Sequence, residues 1–282
     1  VIWPGGLIIS SPAGDRPLPD RRVEYVTPGF DWTHTYASGA CGSDIRQTQV
    51  VTERFDHAGR YERARNVGPF GPALVALNQR DGDELRIWGL GLYAESSSAE
   101  VPAGPGAPSV NLTLTHDGEA LATGTDPTSF TATLPPGRAA YRLTADTQRD
   151  VPWTDLSTRQ HVTWDFSSEH TDSATLPLLV VRYRMALDEQ NRAPGGADQH
   201  FEVRVERPGG AVATDVTKPT VDASFDDGTT WQPVMFTRTG DHWTATLRNA
   251  ADAQHVSLRA RAADTTGNSV DQTLIHAYGI TR

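Results

Sequence analysis

From Lys218 to Tyr278 apolar and polar residues alternate with a period of two. Trp243, Ala245 and Leu247 fall on one side of the chain, and Thr244, Thr246 and Arg248 on the other. Val256, Leu258, Ala260 and Ala262 repeat the pattern against Ser257, Arg259 and Arg261. That period is the mark of a strand with one packed and one wet face. The connectors are Asp227-Gly228, Thr239-Gly240-Asp241 and Thr266-Gly267-Asn268, built from the residues that accept the positive φ of hairpin turns.

The same texture runs through the rest of the chain. Arg22–Tyr36 predicts a hairpin about Pro28-Gly29, and Asp44–Phe55 an edge strand. Gly68-Pro69 and Gly71-Pro72 break the pattern, which sets a boundary near residue 70. Val101–Pro108 reads as a loop, since stacked Pro and Gly cannot hold ladder bonds. Val110, Leu112 and Leu114 alternate with polar partners, Asp117-Gly118 turns the chain, and Ser129–Leu134, Ala140–Ala145 and Val162–Phe166 follow as strands. Leu176–Arg184 is more continuously apolar, as in a strand covered on both faces. No window carries capped helical spacing. The fold class expected is all-β: tandem antiparallel β-sandwiches of the immunoglobulin or fibronectin-III kind, without significant helix. The expected division is 1–70 (an N-terminal sandwich portion, incomplete or completed by upstream chain), 71–173 (a middle sandwich) and 174–282 (a C-terminal sandwich).

One motif is sharp. Ser224, Asp226, Gly228, Thr230 and Trp231 fit the Asp-box pattern S-x-D-x-G-x-T-W. The carboxylate is expected to accept backbone N–H groups across a turn, the glycine to permit the bend, and the indole to pack beneath. The motif occurs once, whereas a propeller would repeat it in every blade. A stabilised hairpin is therefore the expected role.

Composition narrows the function classes. The 282 residues suffice for about two or three domains. A net charge of −10 argues against nucleic acid and anionic membranes, which require basic surface. No apolar run approaches the ~18 residues of a membrane span. Val1–Ile9 lacks the basic lead and cleavage site of a signal peptide, and an opening on Val-Ile-Trp-Pro reads as a piece of something longer. Lys218 is the only lysine. With abundant Ala, Gly and Asp, that composition suggests a high-GC bacterial source. Cys41 is the only cysteine, so no disulfide forms within the chain, and a lone thiol without a His/Asn constellation reads as inert.

Candidate chemistry is sparse. The nine histidines form no H-E-x-x-H or H-x-H motif, and His34, His57 and His161 are expected to be surface or packing residues. Asn111-Leu112-Thr113 fits a glycosylation acceptor that a bacterial protein would leave idle. Asp264, Asn268 and Asp271 are the candidate set for a structural calcium, with ordinary turn chemistry as the favoured account; no other cofactor is expected. Asp264-Thr265-Thr266-Gly267 resembles the surroundings of a catalytic aspartate but lacks following histidine and serine motifs, so a turn is expected there. No Gly-x-Ser-x-Gly elbow occurs. Without a nucleophile–base pair, no catalytic residue is assigned. Trp3, Trp32 and Trp153, in Pro/Gly-rich or polar loops, are candidates for stacking on a sugar ring, weighed against burial in sandwich ends.

A series of phrases, in order, carries a resemblance. They are RRVEYVTPG (21–29), GRYER followed by NVGPFGPAL (59–74), DGEAL (117–121), PPGRAAYRLTAD (135–146) and STRQHVTWDFSSEH (157–170). LPLLVVRY (176–183), SFDDGTTWQPV (224–234) and VSLRARAADTTGNSVDQTLIHAYGI (256–280) complete it. The chain resembles the C-terminal, post-catalytic region of large secreted subtilisin-like serine peptidases from high-GC bacteria. The resemblance implies secretion, a serine endopeptidase as parent, and an upstream catalytic domain as partner. For this chain it implies a non-catalytic accessory role in packing on or spacing that domain, or in presenting substrate or cell-surface contacts. The alternative is a free-standing extracellular module that binds carbohydrate or protein.

Overall fold

A computed structural model describes residues 19–21, 23–38, 47–74, 76–96, 110–127 and 129–282. Its elements, in chain order, begin with β1 (Asp31–Ser38), β2 (Gln47–Arg54), β3 (Gln79–Gly82), β4 (Glu84–Ile87), β5 (Val110–His116) and β6 (Glu119–Gly124). Then come β7 (Phe130–Thr133), β8 (Ala139–Gln148), β9 (Arg159–Ser168), β10 (Thr171–Thr175), β11 (Val180–Met185), β12 (Arg192–Pro194) and β13 (Asp198–Glu206). The last are β14 (Thr220–Ser224), β15 (Gln232–Pro233), β16 (Phe236–Thr239), β17 (His242–Arg248), β18 (His255–Ala263) and β19 (Ser269–Thr281). The described residues contain strands and no helix, in sheets that are antiparallel apart from one short parallel pairing and of which none closes into a barrel.

Strands β3, β4, β7 and β10 form one four-stranded sheet, in the order β10-β3-β4-β7, and β11, β13, β17 and β16 form another in that order. A longer sheet runs β15-β14-β18-β19-β9-β8-β5-β6, with β12 added in parallel on β19. β3–β10 and β11–β19 each supply strands to two sheets, and the single antiparallel pairing of β9 with β19 joins the two sets. That pairing runs from Ser269↔Asp165 to Ile275↔Arg159. It crosses the division expected near residue 173. β9 and β19 are both covered on their inner face, so each can lie at the centre of a sheet.

Among the described residues of 1–70, β1 and β2 are the only strands, and they pair with each other. The hairpin expected about Pro28-Gly29 is not what forms. That turn leads into β1, whose partner is β2. Pro28-Gly29 reads as hairpin chemistry because Gly29 does take φ +86°, but Gly29 N–H donates to the Phe55 carbonyl rather than closing a two-strand loop. Val101–Pro108 lies outside the described residues.

Turn chemistry sets the register elsewhere. Asp117 and Gly118 have φ +52° and +84° between His116 and its partner Glu119, the two left-handed positions of a type I′ hairpin. The interior follows from the alternation. Leu112, Leu114, Leu143, Val162 and Trp164 join Leu85, Ile87, Leu178 and Leu179 in one continuous apolar cluster that reaches Val203, Leu258 and Tyr278. The Trp164 indole is fully buried and donates to the Leu179 carbonyl at 2.7 Å, so its polar tip is satisfied on burial.

The run from Leu176 becomes a strand only at Val180, yet β11 is buried on both faces while lying at the edge of its sheet. A side chain resolves the conflict. Gln272, fully buried on β19, donates to the Val181 carbonyl at 2.6 Å and accepts from Val181 N–H at 3.0 Å. Its primary amide replaces the neighbouring strand that a buried edge would otherwise lack.

Candidate functional site

Polar groups of both sandwiches converge where the two meet. Residues 66–74 thread this joint. Asn191 accepts from Gly68 N–H at 2.7 Å and donates to the Asn66 carbonyl at 3.0 Å. Ser157 donates its hydroxyl to the Phe70 carbonyl at 2.8 Å. Arg182, buried, donates to the Pro72 carbonyl at 2.8 Å and to the Glu95 carbonyl. Ser157 belongs to the turn after β8, and Arg182 and Asn191 to the C-terminal set, so the segment is stitched to both. Arg149 lies over the Tyr93 ring at 4.4 Å. Its burial lowers the guanidinium to about 10, against a smaller opposing effect of Tyr93.

On the C-terminal side of the joint stands the Asp-box turn between β14 and β15. Ser224, buried at the end of β14, donates its hydroxyl to Asp226 Oδ1 at 2.7 Å and accepts from Gly228 N–H at 2.9 Å. Asp226 accepts from Thr230 N–H at 2.8 Å and from the Thr230 hydroxyl at 2.6 Å. The Thr230 hydroxyl, the Thr230 N–H and the Ser224 hydroxyl, in that order, hold the Asp226 carboxyl down at about 2. Gly228 has φ +87°, and a Cβ there would stand 2.9 Å from Ile275 Cδ1 and 3.2 Å from Trp231. Trp231 therefore lies directly against the turn, with the Arg259 guanidinium 4.7 Å from its ring centre and Arg259 in turn bonded to Asp222 at 2.8 Å. Beside the turn is a shallow cleft of about 350 Å³ lined by Asp226, Thr230, Trp231, Gln232 and Asp252.

The candidate calcium residues meet only in part. Asp264 is buried in the turn between β18 and β19. Its Oδ1 accepts from Thr266 N–H, the Thr266 hydroxyl and Asn268 N–H, and its Oδ2 from the Thr214 hydroxyl and the Asn268 amide. Burial works to raise the Asp264 carboxyl, but the Asn268, Thr214 and Thr266 bonds outweigh it and hold the group far below the ordinary range. Asp271 faces Arg261 at 2.5 Å instead. Among the described residues, no group of three or more His, Cys, Asp or Glu is placed to hold a metal ion.

The aromatic candidates do not converge on one site. Trp32 is half-buried on β1 and donates to the Thr27 carbonyl at 2.9 Å. Trp153 stands at the turn after β8, 37% exposed. Trp3 and Cys41 lie outside the described residues. Of the histidines singled out, His161 bonds Asp146 at 2.6 Å on an open face, His34 lies 3.4 Å from Glu24, and His57 is exposed.

Sequence reading missed the histidines that matter most. His255 and His276 stack with ring centres 4.0 Å apart and 12° between planes. His255 Nε2 is 2.8 Å from Asp155 Oδ2, to which Arg192 also donates at 3.1 Å. Burial pushes the Asp155 carboxyl up, but the His255 hydrogen bond and the charge of Arg192 help bring it to a net lowering. His276 Nε2 is 2.8 Å from Asp227 Oδ1, and its Nδ1 is 3.0 Å from the Asp155 carbonyl. Asp155, Asp227, His255 and His276 are too far apart in sequence to form a spacing motif. The available sequence signal was weaker: Leu274-Ile275-His276-Ala277 breaks the period-two alternation, and in the structure His276 takes φ +60° there, an irregular position.

No known family model matches the chain, and no curated protein matches it. No helix of the described residues is long and apolar enough to cross a membrane.

Proposed function

We propose that this chain is a non-catalytic accessory region of a secreted bacterial subtilisin-like serine endopeptidase, working as a stiff unit that packs on or spaces the catalytic domain. The observation that carries the reading is where the family-like phrases fall. NVGPFGPAL is the segment threading the joint, HVTWDF lies in β9, LPLLVVRY leads into β11, and the phrase 256–280 makes up most of β18 and β19. Two of them, β9 and β19, make the pairing that joins the two sets into one sheet, and the 66–74 segment is bonded across that joint. A joint of this kind suits a spacer, because a continuous hydrogen-bonded sheet resists hinge motion between its halves. The test is to read the coding sequence upstream of Val1 and to delete residues 1–282 from the parent protein. The expected result is an upstream peptidase domain that keeps its active serine after the deletion and denatures at a lower temperature. An upstream sequence encoding no peptidase overturns the proposal.

A second reading, an extracellular carbohydrate-binding module, draws support from the cleft beside Trp231. An aromatic edge flanked by Asp226, Thr230, Gln232 and Asp252 has the mixed apolar and polar lining that sugars require. Glycan-array binding that is lost in Trp231→Ala, and kept in Trp32→Ala and Trp153→Ala, would favour it. Absence of glycan binding by the intact chain would remove it, and binding that survives Trp231→Ala would remove the cleft as its site.

A further inference from the structure

We infer that His276 is the imidazolium of a proton-dependent latch that ties the middle sandwich to the Asp-box turn. A neutral imidazole carries one N–H and one acceptor nitrogen, whereas the cation donates from both. His276 Nδ1 faces a backbone carbonyl, that of Asp155, and Nε2 faces a carboxylate oxygen, that of Asp227. A carbonyl and an ionised carboxylate only accept. Both contacts are therefore hydrogen bonds only when both ring nitrogens carry hydrogen.

The surroundings fit one cation. Asp155 comes from the turn after β8, Asp227 from the Asp-box turn, His255 from β18 and Arg192 from β12. His255 uses Nε2 alone, on the Asp155 carboxylate, so a neutral His255 satisfies its bond and offers a ring face to a charged His276. Charging both rings at 4.0 Å would set two like charges face to face, with Arg192 already on the same carboxylate. The backbone of His276 is held as firmly as its ring. Its N–H donates to the Ser257 hydroxyl at 3.1 Å, and its carbonyl accepts from Ser157 N–H at 2.7 Å. These bonds occur at a left-handed φ that L residues seldom adopt, and they aim the ring between two segments that no strand pairing connects.

Loss of the proton leaves one nitrogen bare against an acceptor, so one of the two contacts must open. The latch is closed while the His276 ring is charged and opens when it loses its proton. It would make the joint firmer in an acidified medium than in an alkaline one.

The test uses the full chain. Nitrogen-15 NMR of the imidazoles should show both nitrogens of His276 protonated, and His255 neutral, at about pH 6. Between about pH 6 and about pH 8.5, amide exchange at Ser157, Thr158 and Gly228 should accelerate about fivefold beyond the intrinsic pH effect. His276→Gln, which can donate from only one end, should abolish that excess. Should His276→Gln fail to fold, Asp227→Asn serves instead: it should remove the excess at Gly228. A neutral His276 at about pH 6, or equal excess exchange in the wild type and either variant, overturns the inference.

Discussion

Asp226 and Asp264 each close a turn by accepting the backbone N–H four residues on, from Thr230 and Asn268. Each turn also contains a left-handed glycine, Gly228 at φ +87° and Gly267 at φ +94°. Their surroundings differ. Asp264 is 4% exposed, takes five donors and has Arg207 at 3.6 Å. Asp226 is exposed and takes three, two from Thr230 and one from Ser224. A Cβ on Gly228 would strike Ile275, while one on Gly267 would meet nothing within 4 Å. The same turn chemistry thus carries stability at one site through a buried carboxylate and at the other through close packing of the backbone. Burial decides which, because an unmet donor costs far more away from water than in it.

Five substitutions sharpen the contrast. Asp264→Ala should have the largest effect, about 4 kcal/mol in a denaturant titration, since it strands buried donors and uncovers Arg207. A loss under about 1 kcal/mol would show that water relieves those donors. Gly228→Ala should cost about 3 kcal/mol, combining left-handed strain with overpacking against Ile275 and Trp231. Gly267→Ala isolates the strain and should cost about 1.5 kcal/mol. Equal losses at the two glycines would mean that Ile275 moves aside without penalty.

The smallest effect is the one that depends on pH. The folded-state carboxyls of Asp226 and Asp264 both lie below the unfolded value of about 3.9. The stability they contribute is therefore complete above about pH 4 and is lost as pH falls through the folded values. For Asp226 that value is about 2; for Asp264 it is lower still. Asp226→Asn should lower the melting temperature slightly at neutral pH, and its deficit should close as the medium approaches about pH 2. The Asp264→Asn deficit should persist to more acid conditions. Coincident acid profiles for the two variants would erase the distinction between the sites.

The joint shows where sequence reading runs out. Trp164 and Gln272 both sit on strands that alternation identifies, and both could be assigned to an inner face. Nothing in the local sequence says that the Gln272 amide caps the edge of β11, because its partner Val181 is 91 residues away. Turns are a different matter. Asp117-Gly118 and the Asp-box residues declare themselves because their donors and acceptors lie within a few positions of one another. The Pro28-Gly29 turn shows the limit of such signals: its glycine is left-handed as expected, but the strand it serves finds its partner beyond a long connection.

Alternation, punctuation and the absence of capped helical spacing determined on their own that this chain builds antiparallel sheets. They also fixed which carboxylates close its turns, since both properties depend on interactions between near neighbours. Tertiary structure alone decided that β9 and β19 weld two sandwiches into one sheet, and that His255 and His276 stack between Asp155 and Asp227. Those contacts join residues far apart in the chain, and such residues meet only when folding has offset the entropy of closing the loops between them.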